Sequence, residues 1–180
     1  SAFGGELLAA NSILFQIQFI MGDILTGLSQ AGAIYSGIAF GEHDRSMLND
    51  TLRISFIWAI GFGLLQTVGY YCCRHAILGC FTNLHSVIAT AQQYDLFIAF
   101  FPLISALGIV YYGVFNGALY TKPICISMLL TACCYLTAYF TLIPLYGNIG
   151  LWLAFLIFYI ARSSFLLFFV PKLQQRVALA

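Results

Sequence analysis

Leu7 to Phe40 read LLAANSILFQIQFIMGDILTGLSQAGAIYSGIAF, a stretch whose one charged side chain is Asp23. As an α-helix its about 34 residues would reach roughly 51 Å at 1.5 Å per residue. The hydrocarbon core of a bilayer is roughly 30 Å thick and needs about 20 apolar residues to cross. The segment is therefore read as a membrane span that must tilt, bend or project beyond the lipid. Gly22, Gly27, Gly32 and Gly37 offer points of flexibility or close packing along it.

The rest of the chain repeats this pattern. Further apolar runs extend over about 54–81, 96–119, 124–145 and 149–170. The expected fold is an all-α integral membrane protein, a bundle of about five transmembrane helices forming a single membrane domain over 1–180. Of its residues 62% are apolar and 7% charged, against about 25% charged in a soluble domain. So few charges cannot cover a water-soluble surface, whereas lipid accepts an apolar one. The net charge of +1 gives no basic face for nucleic acid.

Connections read as short and polar: Gly41 to Asp50, Asn83 to Asp95, Tyr120 to Lys122, and Tyr146 to Asn148. Pro123 suits the first turn of the fourth span, where its missing N–H costs nothing. Pro171 suits the end of the fifth, and Pro102 falls inside the third, where it predicts a kink or break. The loops after spans one, three and five hold Arg45, Arg53, Lys122, Lys172 and Arg176, and the opposite side holds only Arg74. That asymmetry makes the first group cytoplasmic and the beginning of the sequence external. An external start with no basic signal-peptide region is expected to follow an upstream span.

The cysteines are Cys72, Cys73, Cys80, Cys125, Cys133 and Cys134. Adjacent pairs inside apolar runs make no disulfide framework, and no metal-ligand spacing joins them to His75 or His85. They are expected to pack as small apolar residues between helices. His43 reads as a solvated loop residue. No phosphate-binding loop, nucleophile elbow or zinc-protease motif is present, so no enzyme is expected.

Polar residues inside the spans carry the functional argument. Ser12, Gln16, Asp23 and Gln30 lie within about 40° of one another on one helix face. Lipid penalises such a face, so it should turn toward the bundle or a wet cavity, either as interhelical glue or as a passage. Burial favours the neutral form of a carboxyl group, so Asp23 can take up and release a proton or pair with a cation. On the third span Ser105, Tyr112 and Asn116 share a second face, and Gly113 and Gly117 form a G-x-x-x-G that permits close helix approach. Tyr112 can meet an aromatic or cationic solute with its ring, whereas Tyr111 reads as packing. Arg162 falls mid-span in the fifth helix, where it requires a partner or water; Asp23 is one possible partner. The pathway candidates are thus Gln16, Asp23, Gln30, Tyr112, Asn116 and Arg162.

Three stretches resemble a known family. GLSQAGAIYSGIAFGEHDR (27–45) resembles the long helix and cytoplasmic turn of the multidrug and toxic compound extrusion (MATE) transporters, especially their DinF-like branch. GVFNGALYTKP (113–123) is similar to the family's turn of the form G-x-x-x-G-x-x-x-T-R/K-x-P. GNIGLWLA (147–154) is similar to its G-x-x-G-x-W-x-A entry to the last helix, which often carries an Arg where Arg162 stands. The resemblance implies helices eight to twelve of a twelve-helix transporter, most of one six-helix lobe. It implies export of organic solutes, often cationic, by antiport with H⁺ or Na⁺ and with no other cofactor. Implied partners are the lipid bilayer, small organic solutes and the N-terminal lobe of the same protein, in a bacterial inner membrane. Some members carry an Asp on helix ten where this chain has Tyr112, and relatives often have an acid where it has Thr26. The alternatives are a flippase for lipid-linked saccharides of the same superfamily, which would favour a more cationic cavity, and a non-transporting membrane subunit.

Overall fold

A computed structural model describes residues 2–179, with side chains from 4 to 177. Among them are six helices and no strand: α1 (Ala2–Gly41), α2 (Arg45–Phe81), α3 (His85–Gln92), α4 (Asp95–Gly117), α5 (Thr121–Tyr146) and α6 (Asn148–Leu179). All but α3 are long and apolar enough to cross a membrane. The expected bundle of five spanning helices is found.

Three boundaries differ from the sequence reading. The charged segment after α1 is mostly helical: Asp44 caps α2 by accepting from the Met47 N–H at 3.0 Å, so Arg45 to Arg53 form its first turns. A carboxylate at this position satisfies one of the orphan N–H groups of a helix start. The connection expected to be a loop over 83–95 contains α3, because Val87 and Ala91, one turn apart, bury themselves in the core cluster that also holds Ala10 and Leu14 of α1. Finally, α6 does not end at Pro171 but continues to Leu179. Leu173 and Val177 beyond the proline are fully buried with Leu48 and Phe115, and this packing outweighs the one lost backbone bond.

α4 lies at the centre, packed against α1, α2 and α6, while α5 packs chiefly on α6. Small residues set the closest crossing. Gly113 faces the backbone of Ser29 and Gly117 that of Ala33, so the G-x-x-x-G spacing serves the close approach it permits. Gly32 and Gly37 of α1 also meet α4, at Val114 and the Gly117 carbonyl, whereas Gly22 and Gly27 meet nothing.

Polar side chains tie the helices at the same interfaces. The Ser36 hydroxyl donates to the Val114 carbonyl at 2.6 Å. The Tyr111 hydroxyl donates to Leu52 at 3.3 Å, the packing role expected of that ring. Ser163 of α6 accepts from the Gly108 N–H at 3.0 Å and donates to the Ile104 carbonyl at 3.1 Å. Asn11 and Asn148 bond reciprocally through their amides at 2.7 and 3.1 Å, and the Trp152 indole donates to Asn11 at 3.2 Å.

The ends of α1, α4 and α6 meet at one end of the bundle, where Arg176 donates to the Leu119 carbonyl and covers the rings of Phe40 and Tyr120. The cysteines correct an expectation. All six are free, and every one but Cys134 is exposed on the outer faces of α2 and α5 rather than packed between helices.

Candidate functional site: a groove between α1, α4 and α6

A groove of about 730 Å³ runs between α1, α4 and α6. The polar face of α1 forms one wall, with Gln16, Asp23 and Gln30 lining it at seven-residue intervals. Two helical turns cover 7.2 residues, so side chains seven apart return to nearly the same face. Ser12 and Thr26 stand on this wall as well, but their hydroxyls donate back to the Leu8 and Gly22 carbonyls. That leaves the amides of Gln16 and Gln30 and the Asp23 carboxylate as the free polar groups of this stripe.

The opposite wall is cationic and aromatic. Phe155, Tyr159 and Arg162 of α6 line it at spacings of four and three, which place them along one helical face. Tyr112 reaches it from α4, and the Arg162 guanidinium lies 5.6 Å from the centre of its ring. Two aromatic contacts stiffen the wall: Phe15 packs edge-on to Phe155 at 5.1 Å, and Phe101 edge-on to Tyr159 at 4.8 Å. Arg162 is half-buried, and its Nε has no hydrogen-bond partner.

The structure therefore brings Gln16, Asp23, Gln30, Tyr112 and Arg162 into one groove. It does not bring Asn116 there; that side chain is exposed near the end of α4, outside the lining. Nor does Arg162 pair with Asp23. Among the described residues the one ion pair is Arg74–Asp95, at 3.2 Å, between α2 and α4. Arg162 instead uses the face of Tyr112, the electrostatic alternative open to a guanidinium beside an aromatic ring.

Sequence reasoning missed two parts of this site. Gln18, buried on α1, also lines the groove, as does Ser29 beside the close crossing. A second amide two residues after Gln16 was the available signal, but it projects from another face and so fell outside the stripe. The aromatic row of α6 was legible from the spacing of Phe155, Tyr159 and Arg162, which invites reading as one face.

Chemically, the groove offers one carboxylate, one guanidinium, the amides of Gln16, Gln18 and Gln30, and several aromatic faces. Such a lining can hold an organic solute by its rings, orient it by the amides, and exchange a cation at the carboxylate.

The family model MatE matches residues 1–143 of the chain. The chain is 28% identical over 160 residues to the DNA damage-inducible protein F of Escherichia coli (strain K12), covering 89% of this chain and 35% of that protein. It thus spans about a third of the length of the curated relative it matches. No solved structure matches it.

Proposed function

The chain belongs to the MatE family, and from that premise we propose that it forms most of the C-terminal lobe of a secondary active transporter. The transporter exports organic, often cationic, compounds by antiport with H⁺ or Na⁺ across a bacterial inner membrane. The observation that carries this reading is the groove in which Asp23, the amides of α1 and the aromatic wall of α6 face one another.

The mechanism follows from competition at one carboxylate. Asp23 is attracted either to the coupling cation or to a positive group on the solute, and occupancy by one weakens the hold on the other. The aromatic faces of Tyr112, Phe155 and Tyr159 retain the apolar body of the solute. Arg162 opposes a second positive charge deep in the groove, so solute orientation is set by the distance of its charge from the guanidinium. Alternating access comes from movement of this lobe against its N-terminal counterpart, as in transporters built from repeats. The family's E. coli member agrees with the bacterial setting.

The test is efflux of a fluorescent organic cation from vesicles holding the full-length protein, under an imposed H⁺ or Na⁺ gradient. The gradient that drives efflux identifies the coupling ion, and Asp23→Asn is expected to reduce it together with drug resistance in cells. Efflux under neither gradient overturns the transport reading. Undiminished efflux by Asp23→Asn removes the carboxylate from it.

A further inference from the structure

A second cavity, of about 780 Å³, lies between α1, α2 and α4 and shares no lining residue with the groove. Its floor is where the three helices meet. A Cβ added to Gly32 of α1 would lie 3.3 Å from the Ser55 hydroxyl oxygen of α2 and 3.9 Å from the Val110 carbonyl oxygen of α4, and all three residues line the cavity. Ser55 is 8% exposed, and its hydroxyl bonds no other group among the described residues.

The two ends differ in chemistry. Leu28 and Phe62 close one end, packed on the cluster of Leu25, Ala59 and Val110, and Trp58 adjoins Phe62 at 5.7 Å. Asp44 and Asp50 line the other. Along α2, Asp50, Ile54, Trp58 and Phe62 line the cavity at intervals of four, so one helical face turns from carboxylate to aromatic. Asp50 to Phe62 covers about 18 Å at 1.5 Å per residue, close to one leaflet of a roughly 30 Å hydrocarbon core. The acidic end is the one that the Lys and Arg distribution makes cytoplasmic.

Neither carboxylate has an ion-pair partner among the described residues, and no Lys or Arg lines the cavity. Asp44 uses one oxygen on the Met47 N–H, which leaves its charge in place. The volume suits a drug-sized ligand. A wall of this kind matches a molecule with a positive head and one apolar body. A two-chain phospholipid would bring a phosphate, and the lining offers it no cation. An inorganic cation would need more oxygen ligands than this aliphatic and aromatic wall supplies. We propose that the cavity binds amphiphilic organic cations from the cytoplasmic leaflet. The head lies at Asp44 and Asp50, the apolar body against Trp58 and Phe62, and Ser55 is the polar contact between them. The binding stands on this geometry; its use in loading the groove rests on the efflux reading above.

The test is photolabelling of the full-length protein in nanodiscs by a trimethylammonium amphiphile whose single alkyl chain ends in a diazirine, read by peptide mapping. Label is expected on α2 between Ile54 and Phe62. The same amphiphile without the diazirine should displace it, and the uncharged alcohol of equal chain length should not. Asp44→Asn combined with Asp50→Asn keeps a side chain able to cap α2. It should weaken displacement about tenfold, the scale of two exposed charge pairs lost together. Asp23→Asn, in the groove, should leave this label in place. Label absent from α2, displaced equally well by the alcohol, or unaffected by the double variant overturns the proposal. Label lost in Asp23→Asn also overturns it, because the ligand then sits in the groove. The measurement needs no gradient, so label on α2 with no efflux under either gradient sinks the transport reading alone.

Discussion

Gly113 of α4 lies so close to Ser29 of α1 that a Cβ on the glycine would overlap the Ser29 carbonyl oxygen. The same holds one turn later for Gly117 and Ala33. This crossing holds the floor of the groove in register, because Ser29 and Gln30 leave it on one side and Tyr112 on the other.

Alanine in a helix is ordinarily favoured over glycine by about 1 kcal/mol. At Gly113 the overlap should win, since overpacking typically costs about 1–3 kcal/mol and here the obstacle is backbone. Gly113→Ala is expected to lower the thermal transition in detergent by several degrees. Gly22→Ala, where a Cβ meets nothing within 4 Å, should leave it unchanged or raise it slightly. Equal behaviour of the two variants would show that α1 and α4 do not cross there.

Arg74→Met should strand Asp95, which is only 4% exposed. Breaking a fully buried pair costs about 3–5 kcal/mol. Because Arg74 keeps 29% of its side-chain exposure, the loss should fall below that range. Adding Asp95→Leu is expected to recover most of it, since two apolar residues leave no orphaned charge. A double-mutant cycle by denaturation reads the coupling directly.

Asn11→Ala removes the acceptor of both the Trp152 indole and the Asn148 amide. Leaving buried donors unpaired costs about 1–3 kcal/mol. The α1–α6 contact should loosen accordingly, seen as faster hydrogen exchange at the start of α6 with little change in α2.

The Arg162–Tyr112 contact needs the ring and not the hydroxyl. Tyr112→Phe should therefore keep most of the efflux activity, whereas Tyr112→Leu should lose between about twofold and thirtyfold, the span of a cation–π interaction from exposed to desolvated. Arg162→Met should change which organic cations are exported, because the repulsion that orients them is gone. Competition by cations of different charge placement checks this.

Gln16, Asp23 and Gln30 announced a common face because spacing along one helix is a local property, fixed by 3.6 residues per turn. Asp23, alone among about 34 apolar and small polar residues, was equally conspicuous. The pairing of Arg162 was not legible. Whether it meets Asp23 or Tyr112 depends on the rotation of α6 relative to α1 and α4, which Ser163 fixes through Gly108 and Ile104. Asn116 shows the converse. It shares a helical face with Tyr112, yet one further turn carries it out of the groove.

The sequence by itself determined that this chain lives in lipid as a bundle of spanning helices, because length, hydropathy and scarcity of charge act residue by residue against a solvent of fixed thickness. Only the tertiary structure decided which polar faces meet, that α6 runs on past Pro171, and that Gln66, Thr67 and Tyr70 bury polar atoms without a hydrogen-bond partner. Those outcomes depend on where two helices can approach most closely. That is set by small residues such as Gly63 and Gly113 acting on partners far away in the chain.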